Sequence, residues 1–222
     1  IKKFQPLSLD PSTAALHYGQ TIFEGIKAFK NEKGEVVIFR PDQNFIRFNT
    51  SAERMGMPMV PDWLFMEGMK QLVALEKDWI PNIPEASLYI RPFMIATDPF
   101  LGVRPSLTYK FMIILGPSGP YFSAPMKILI EEKYTRATPG GVGFAKNGGN
   151  YGGSLYPVAL AQEKGYDQVL WTDAIEHKFY SDGLREDLAD QIRDLDPSTK
   201  YDKGHTTESL KTELDRLENI KQ

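Results

Sequence analysis

Lys146 has surroundings that suggest chemistry. It lies in the stretch GGVGFAKNGGNYGG, residues 140–153, in which seven of the fourteen residues are glycine. Glycine loses more backbone entropy on folding than any other residue, so a cluster this dense indicates a backbone that turns sharply or approaches another group closely. A lysine held in a partly desolvated pocket can lose its proton near neutral pH and attack an aldehyde. The stretch therefore predicts a reactive amine.

Other interpretations of this stretch remain open. A glycine-rich loop before a helix can bind an anion through its N–H groups and the helix dipole. The stretch matches neither GxxxxGK[ST] nor a GxGxxG pattern with a later acidic residue. Glycine content alone favours a surface loop with a solvated lysine. Asn150, Tyr151 and the apolar segments on both sides favour instead a loop placed near the core.

The composition excludes several classes of function. The chain has 222 residues, of which 41% are hydrophobic, and a net charge of −3, without the basic stripe that nucleic acid requires. It has no cysteine, which excludes disulfides and thiolate metal sites and favours a reducing compartment. No apolar run reaches the roughly 18 residues of a membrane span, and the first residues lack a signal-peptide pattern. We expect a cytoplasmic protein without a metal site.

Hydrophobic periodicity predicts mixed α and β structure in the first half of the chain. A hairpin is expected from two β-rich runs, residues 20–30 and 34–40. A helix capped by Asp42 should follow, because its apolar residues recur at helical spacing. Those apolar residues are Phe45, Phe48, Ala52 and Met55. A second helix after Asp62 and strands over residues 87–96 and 108–116 complete this half.

The Pro- and Gly-rich segment 116–125 is the best candidate for a domain boundary. Beyond it the pattern is a strand (126–136), the glycine cluster, a helix from about Ser154 to Lys164 and a strand (167–171). We expect an α/β (α+β) chain of two domains. Residues 1–119 would form the smaller one, and residues 120–222 would carry Lys146 in a domain that is incomplete after residue 180.

Several blocks of the sequence resemble one enzyme family. They are LHYGQTIFEGIKAF, NFIRFNTSAERM, SLYIRPF, LGV, GGVGFAKNGGNYGGSL and GYDQVLW. In this order and spacing they resemble the branched-chain amino acid aminotransferases, class IV enzymes of fold type IV that use pyridoxal 5′-phosphate. The resemblance covers residues 7–180. It implies the D-amino acid aminotransferase-like fold.

The resemblance implies three cofactor-binding residues. Lys146 falls on the family's Schiff-base lysine, which also carries a proton as general base and acid. Arg47 falls on the phosphate-binding arginine, where a guanidinium can donate two parallel hydrogen bonds. Tyr151 falls on the tyrosine that binds the cofactor's phenolic oxygen. Without the resemblance, Arg47 would be interpreted as part of a solvated helix face.

The resemblance also implies a substrate pocket. Tyr18, Phe23 and Tyr89 would form its apolar wall, although core packing explains any one of them taken alone. Arg91 lies two residues after Tyr89, so both should face one way on a strand and Arg91 could anchor a second carboxylate. Leu101 and Val103 match a loop that family dimers insert into the neighbouring subunit's site, as does Tyr18. A homodimer is therefore expected.

The family pattern fails after residue 180. The carboxylate that pairs with the pyridine nitrogen falls on Ser181, and the later Gly-Thr-Ala turn is missing. Either the chain has diverged and lost activity, or segments are omitted and the remainder joined. We favour omission, which predicts that consecutive Cα atoms near Tyr180–Ser181, or elsewhere in residues 181–205, lie well beyond the ~3.8 Å of bonded residues.

The expected function is reversible amino transfer between leucine, isoleucine or valine and 2-oxoglutarate, through pyridoxal and pyridoxamine phosphate. Two alternatives stay within class IV, a D-amino acid aminotransferase and an enzyme like aminodeoxychorismate lyase. The Tyr89–Arg91 strand and the block HYGQTIFEG favour the branched-chain interpretation. A third alternative, a catalytically dead protein that binds the cofactor or another phosphate ligand, is favoured by Ser181.

Overall fold

A computed structural model describes residues 1–120 and 125–177. Two compact units divide the chain. The first contains Ile1–Met126 and Gly140–Leu155, and the second contains Lys127–Pro139 and Tyr156–Gln222. The lysine stretch thus groups with the first unit, whereas the sequence predicts it in the second domain. The division at residues 119 and 120 stays a prediction.

The first unit is built on an antiparallel sheet. Its strands are β1 (Thr21–Phe23), β2 (Ile26–Lys30), β3 (Val36–Ile38), β4 (Ser87–Ala96) and β5 (Tyr109–Ser118). β4 is central and pairs with β1, β2 and β5, while β3 pairs with β2 as the predicted hairpin. The strands predicted at residues 87–96 and 108–116 are thereby confirmed.

The run predicted as one strand over residues 20–30 is two strands. Its register on β4 is continuous, because Phe23 lies opposite Phe93 and Ile26 lies opposite Ile90. The break at Glu24 and Gly25 lies opposite Pro92 and Arg91 in that register. Pro92 has no N–H and cannot complete the ladder, although its carbonyl accepts the Glu24 N–H at 2.8 Å.

Two helices, α2 (Pro41–Arg54) and α3 (Asp62–Leu75), cover one face of this sheet. The short helix α1 (Ala14–Tyr18) precedes β1, and a single 3₁₀ turn at Lys77–Trp79 follows α3. The apolar faces of α2 and α3 pack on the buried positions of the strands, and Phe48, Phe65, Met69, Leu88 and Ile90 are all completely buried. Phe48 and Ala52 are buried as predicted, and Phe45 and Met55 pack against the same core.

The cap predicted at Asp42 is wrong. α2 begins at Pro41, after Arg40 in the left-handed conformation with φ 44°, and no side chain caps it. Asp42 lies inside the first turn, where its carboxylate accepts a hydrogen bond from Gln43 at 2.8 Å. Proline suits the first helical position because that N–H has no partner within the helix.

In the second unit, β6 (Ile128–Glu131) and β7 (Gln168–Trp171) pair in parallel. The predicted order of strand, loop, helix and strand is confirmed. Parallel strands need such a crossover connection between them. The crossover helix, α4, covers Gly148–Glu163 and begins six residues before the predicted start. Among the helices the structure describes, none combines the length and apolar character that crossing a membrane demands.

Candidate active site

The peptide backbone of Lys146 is held against the first unit's sheet and helix α2. Asn147 forms an isolated β-bridge with Ile22, and the Lys146 carbonyl accepts the Phe23 N–H at 3.1 Å. On the other side, the Lys146 N–H donates to the Ser51 hydroxyl at 2.9 Å. That hydroxyl in turn donates to the Arg47 carbonyl at 2.9 Å. One serine therefore links the two residues predicted to bind the aldehyde and the phosphate.

Two buried asparagines that follow Lys146, Asn147 and Asn150, hold the loop around it. The Asn150 amide donates to the carbonyls of Val142 at 2.6 Å and Ala145 at 2.7 Å. The Asn147 side-chain oxygen accepts the Asn150 N–H at 3.1 Å, as an N-cap residue does. This cap explains why α4 begins inside the glycine cluster, and it makes the cluster an ordered turn.

The Lys146 side chain is half-buried between two aromatic rings. Its Nζ donates a hydrogen bond to the Tyr151 hydroxyl and lies 4.5 Å from the centroid of the Phe23 ring. The Phe23 and Tyr151 rings contact each other, with centroids 4.8 Å apart. Within residues 1–120 and 125–177, no carboxylate forms a salt bridge with Lys146. The structure thus brings together Lys146, Tyr151 and Phe23.

Arg47 forms a two-pronged ion pair with Glu24. Its Nε lies 2.6 Å from one carboxylate oxygen, and its Nη2 lies 2.8 Å from the other. Glu24 is completely buried, whereas 53% of the Arg47 side chain is exposed. A guanidinium carries five N–H donors, so two bonds to Glu24 leave donors for another anion.

The pKa of Arg47 lies above its ordinary value, chiefly because of the hydrogen bond to Glu24. Partial burial acts in the opposite direction, and the charge of Glu24 and the Tyr151 hydroxyl add smaller increases to the pKa. The guanidinium therefore stays charged, as arginines do at any working pH, and can attract a phosphate.

Tyr89 and Arg91 face the same side of β4, as predicted. Arg91 donates to the Tyr89 hydroxyl from Nη2 at 2.6 Å and from Nε at 3.2 Å. The Arg91 guanidinium lies 4.6 Å from the centroid of the Phe23 ring, which connects this pair to Lys146. Gly25 makes room for the arrangement, because a Cβ there would lie 2.6 Å from the Tyr89 hydroxyl oxygen.

Three predicted substrate residues are not brought to this cluster by any described contact. Tyr18, Leu101 and Val103 are all exposed, and Val103 is 92% exposed. Tyr18 makes a ring contact with His17. Ser181, with the spacing predicted between Tyr180 and Ser181, lies outside the described residues.

Sequence reasoning missed Glu24 and Ser51. The pattern Ile22, Glu24, Ile26 could have revealed Glu24, because every second residue of a half-buried strand faces the core. A carboxylate at such a position needs a buried partner. Ser51 gave no comparable signal, since serine is common on helix surfaces and its partner Lys146 is 95 residues away.

The chemistry of this cluster fits pyridoxal phosphate. An aldehyde needs an amine, which Lys146 provides beside a phenolic hydroxyl. A phosphate needs charged donors, which Arg47 retains beyond its pair with Glu24. A flat ring needs apolar faces, which Phe23 and Tyr151 supply. The described residues thus contain matching groups for the aldehyde, the phosphate and the faces of the ring.

Comparisons with known proteins point to one family. Branched-chain-amino-acid transaminase 1 of Bacillus subtilis (strain 168) is 54% identical over 183 residues, which are 81% of this chain and 51% of that protein. Branched-chain-amino-acid aminotransferase of Mycolicibacterium smegmatis is 48% identical over 79% of this chain and 49% of that protein. The chain therefore spans about half the length of the curated relatives it matches. No protein-family model matches it.

Solved structures agree on the fold. The branched-chain amino acid aminotransferase of Escherichia coli superposes with a TM-score of 0.62 at 23% identity, over 85% of this chain and 70% of that one. The branched-chain aminotransferase of Thermoproteus uzoniensis, solved with norvaline, gives a TM-score of 0.62 at 24% identity, over 75% and 55% of the two chains. These likenesses confirm the predicted fold class, that of fold-type IV enzymes.

Proposed function

Because the chain is a homologue of the branched-chain amino acid transaminases and has their fold, we propose that it acts in reversible transamination. The amino group would pass from leucine, isoleucine or valine to 2-oxoglutarate in two half-reactions, with pyridoxal phosphate as the cofactor. The support is about 50% identity to named transaminases over most of this chain. Solved relatives carry pyridoxamine 5′-phosphate or N-(5′-phosphopyridoxyl)-L-glutamate.

The observation that carries the proposal is the position of the Lys146 amine. It contacts the Tyr151 hydroxyl and two aromatic faces, while both ends of its peptide unit are hydrogen-bonded. We infer that Nζ would hold the cofactor at its aldehyde carbon, with the aldehyde oxygen leaving as water, and that the amine, once displaced by the substrate's amino group, would carry a proton to or from the substrate's α carbon. When bound, pyridoxal phosphate supplies an electron sink for the charge left on that α carbon.

The neighbouring side chains would share the remaining tasks. Arg47 would bind the phosphate through donors that Glu24 does not occupy. Tyr151 would donate to the phenolic oxygen, and Phe23 would lie against the ring and the aliphatic substrate. Tyr89 and Arg91 would form the substrate end, with Arg91 binding the second carboxylate of 2-oxoglutarate.

The proposal includes a second copy of the chain. Tyr18, Leu101 and Val103 would complete the neighbouring subunit's pocket, which agrees with their exposure here. Single methylene differences are worth only about 1–3 kcal/mol in an apolar pocket, so overlapping use of the three branched-chain acids is expected. The proposed location is the cytoplasm, and the proposed domains are residues 1–119 and 120–222.

A non-catalytic protein that binds the cofactor is the second candidate. The observation that favours it is Ser181, where the family has the acid that pairs with the pyridine nitrogen. Without that acid the ring accepts electrons less well. Such a protein would bind the cofactor through Lys146 and Arg47 and release no product.

Amino transfer by the full chain tests the proposal. We expect formation of glutamate from 2-oxoglutarate with leucine, isoleucine and valine, and none with a D-amino acid. Lys146→Ala should abolish it, because it removes the amine that would hold the cofactor and carry the proton. Lys164→Ala removes an exposed lysine of the chain and should leave the rate unchanged. Cofactor binding without any glutamate would favour the second candidate, and equal rates for the two variants would contradict the role of Lys146.

A further inference from the structure

Glu24 is a completely buried carboxylate that is bonded to the half-exposed Arg47. Building on the proposed function, we propose that Glu24 is a positioning residue that holds the Arg47 guanidinium in place for the cofactor's phosphate. The inference concerns a residue that neither touches the substrate nor belongs to the predicted site.

The carboxylate of Glu24 is fixed by the fold. It lies on the core side of the sheet and is completely buried. Besides the two bonds from Arg47, one of its oxygens accepts the Asn44 amide at 2.8 Å and the Gly25 N–H at 3.2 Å. Four donors therefore hold a carboxylate that has no exposed surface, and a buried charge satisfied in this way has little freedom to move.

The ion pair is asymmetric. Glu24 is buried, but about half of the Arg47 side chain faces outward. An exposed arginine alone would sample many rotamers, and binding a phosphate would then cost the entropy of ordering it. Because Nε and Nη2 are occupied by the fixed carboxylate, the plane of the guanidinium is set before any anion arrives. The guanidinium N–H groups that Glu24 does not bind therefore point in a fixed direction, ready for the phosphate.

A purely structural ion pair would predict something different. Its loss would lower the stability of the fold and weaken every form of the cofactor equally. Loss of a positioning residue would weaken only the part of cofactor binding that comes from the phosphate. The dissociation constants of pyridoxal and pyridoxal phosphate differ only through that group, so their ratio separates the two roles. We call this ratio the phosphate selectivity.

The experiment measures the phosphate selectivity of the full chain by the quenching of tryptophan fluorescence. The variants are Glu24→Gln, Arg47→Gln and the double variant, with Glu53→Gln as the control, an exposed glutamate on the same helix α2. We expect Glu24→Gln to lower the selectivity about tenfold, the effect of losing a hydrogen bond to a charged group. In the Arg47→Gln background it should lower it no further, because Glu24 acts through Arg47. Glu53→Gln should match the wild type.

Three results would overturn the inference alone. An unchanged selectivity in Glu24→Gln, with a lowered one in Arg47→Gln, would leave Glu24 a structural residue. A raised selectivity would mean that Glu24 only opposes the phosphate charge. Additive losses in the double variant would mean that Glu24 acts independently of Arg47.

Failure of the proposed function looks different, since the wild type would then bind neither form or show no phosphate selectivity. If Glu24→Gln does not fold, Asn44→Ala replaces it. That variant removes one bond to the carboxylate but keeps the ion pair. It should lower the selectivity by a smaller factor, and an unchanged selectivity would count against the inference.

Discussion

At the scale of single residues, Lys146 has a backbone fixed by hydrogen bonds and a side-chain amine that is placed to react. The peptide N–H and carbonyl are bonded to Ser51 and Phe23, whereas the amine at the end of the side chain contacts a hydroxyl and two ring faces. A reacting amine needs the backbone that carries it to be fixed, because small displacements of the reacting atom lower the rate by large factors. Ser51 matters most here, because it bonds to both Lys146 and Arg47.

Replacing Ser51 with alanine should destabilise the fold. The Lys146 N–H would lose its partner in a partly buried place, which costs about 1–3 kcal/mol of unfolding free energy. Thr50→Ala is the matched control, because the Thr50 hydroxyl makes the same bond to the carbonyl four residues earlier but is exposed. Its effect should stay within about 0.5 kcal/mol. Urea unfolding followed by circular dichroism measures both, and equal losses would contradict the role of Ser51.

At the scale of elements, the break between β1 and β2 creates the site. Pro92 interrupts the ladder at Glu24 and Gly25, where the Glu24 carboxylate bonds to Arg47 of α2 and the Tyr89 hydroxyl occupies the space next to Gly25. A side chain in place of Gly25 would collide with that hydroxyl.

Gly25→Ala should disturb the substrate end of the site. The new Cβ would lie 2.6 Å from the Tyr89 hydroxyl, so Tyr89 must move away from Arg91. Under the proposed function, KM for 2-oxoglutarate should rise about tenfold, because one hydrogen bond to a charged group is lost, and KM for leucine should change less. Gly116→Ala is the control, since Gly116 lies opposite Tyr89 on β5 with open space around it. Steady-state kinetics measure both KM values, and equal changes in the two would contradict the expected role of Arg91.

Periodicity predicted most of these elements but not their interruptions. The strand at residues 87–96 and the stripe containing Phe48 and Ala52 follow from local patterns, and the structure has both. The split at Glu24 depends on Pro92, far along the chain. The start of α2 at Pro41, without an Asp42 cap, and the early start of α4 at the Asn147 cap depend on single residues that periodicity does not register. In the site, Lys146, Phe23 and Tyr151 were predicted from the family blocks. Alternation along the strand indicates that Glu24 faces the core but does not identify its partner Arg47, whereas Ser51 is defined by a contact that no local pattern contains.

At the scale of the whole molecule, the chain matches solved branched-chain aminotransferases over most of its own length. It spans about half of the curated relatives' length, and the described part contains the lysine, the guanidinium and the aromatic faces of the proposed site. The contacts of the described residues include neither the proposed subunit contacts nor the proposed partner of the pyridine nitrogen. The proposed function therefore depends above all on whether the Lys146 amine attaches to the cofactor.

Borohydride reduction followed by peptide mass spectrometry measures that attachment directly. The full chain is incubated with pyridoxal phosphate, reduced and digested, and the mass added to each lysine-containing peptide is recorded. We expect the phosphopyridoxyl mass on the peptide with Lys146 at near-complete occupancy, lost in Lys146→Ala and retained in Lys164→Ala. Equal labelling of several exposed lysines, with no preference for Lys146, would contradict the proposed attachment.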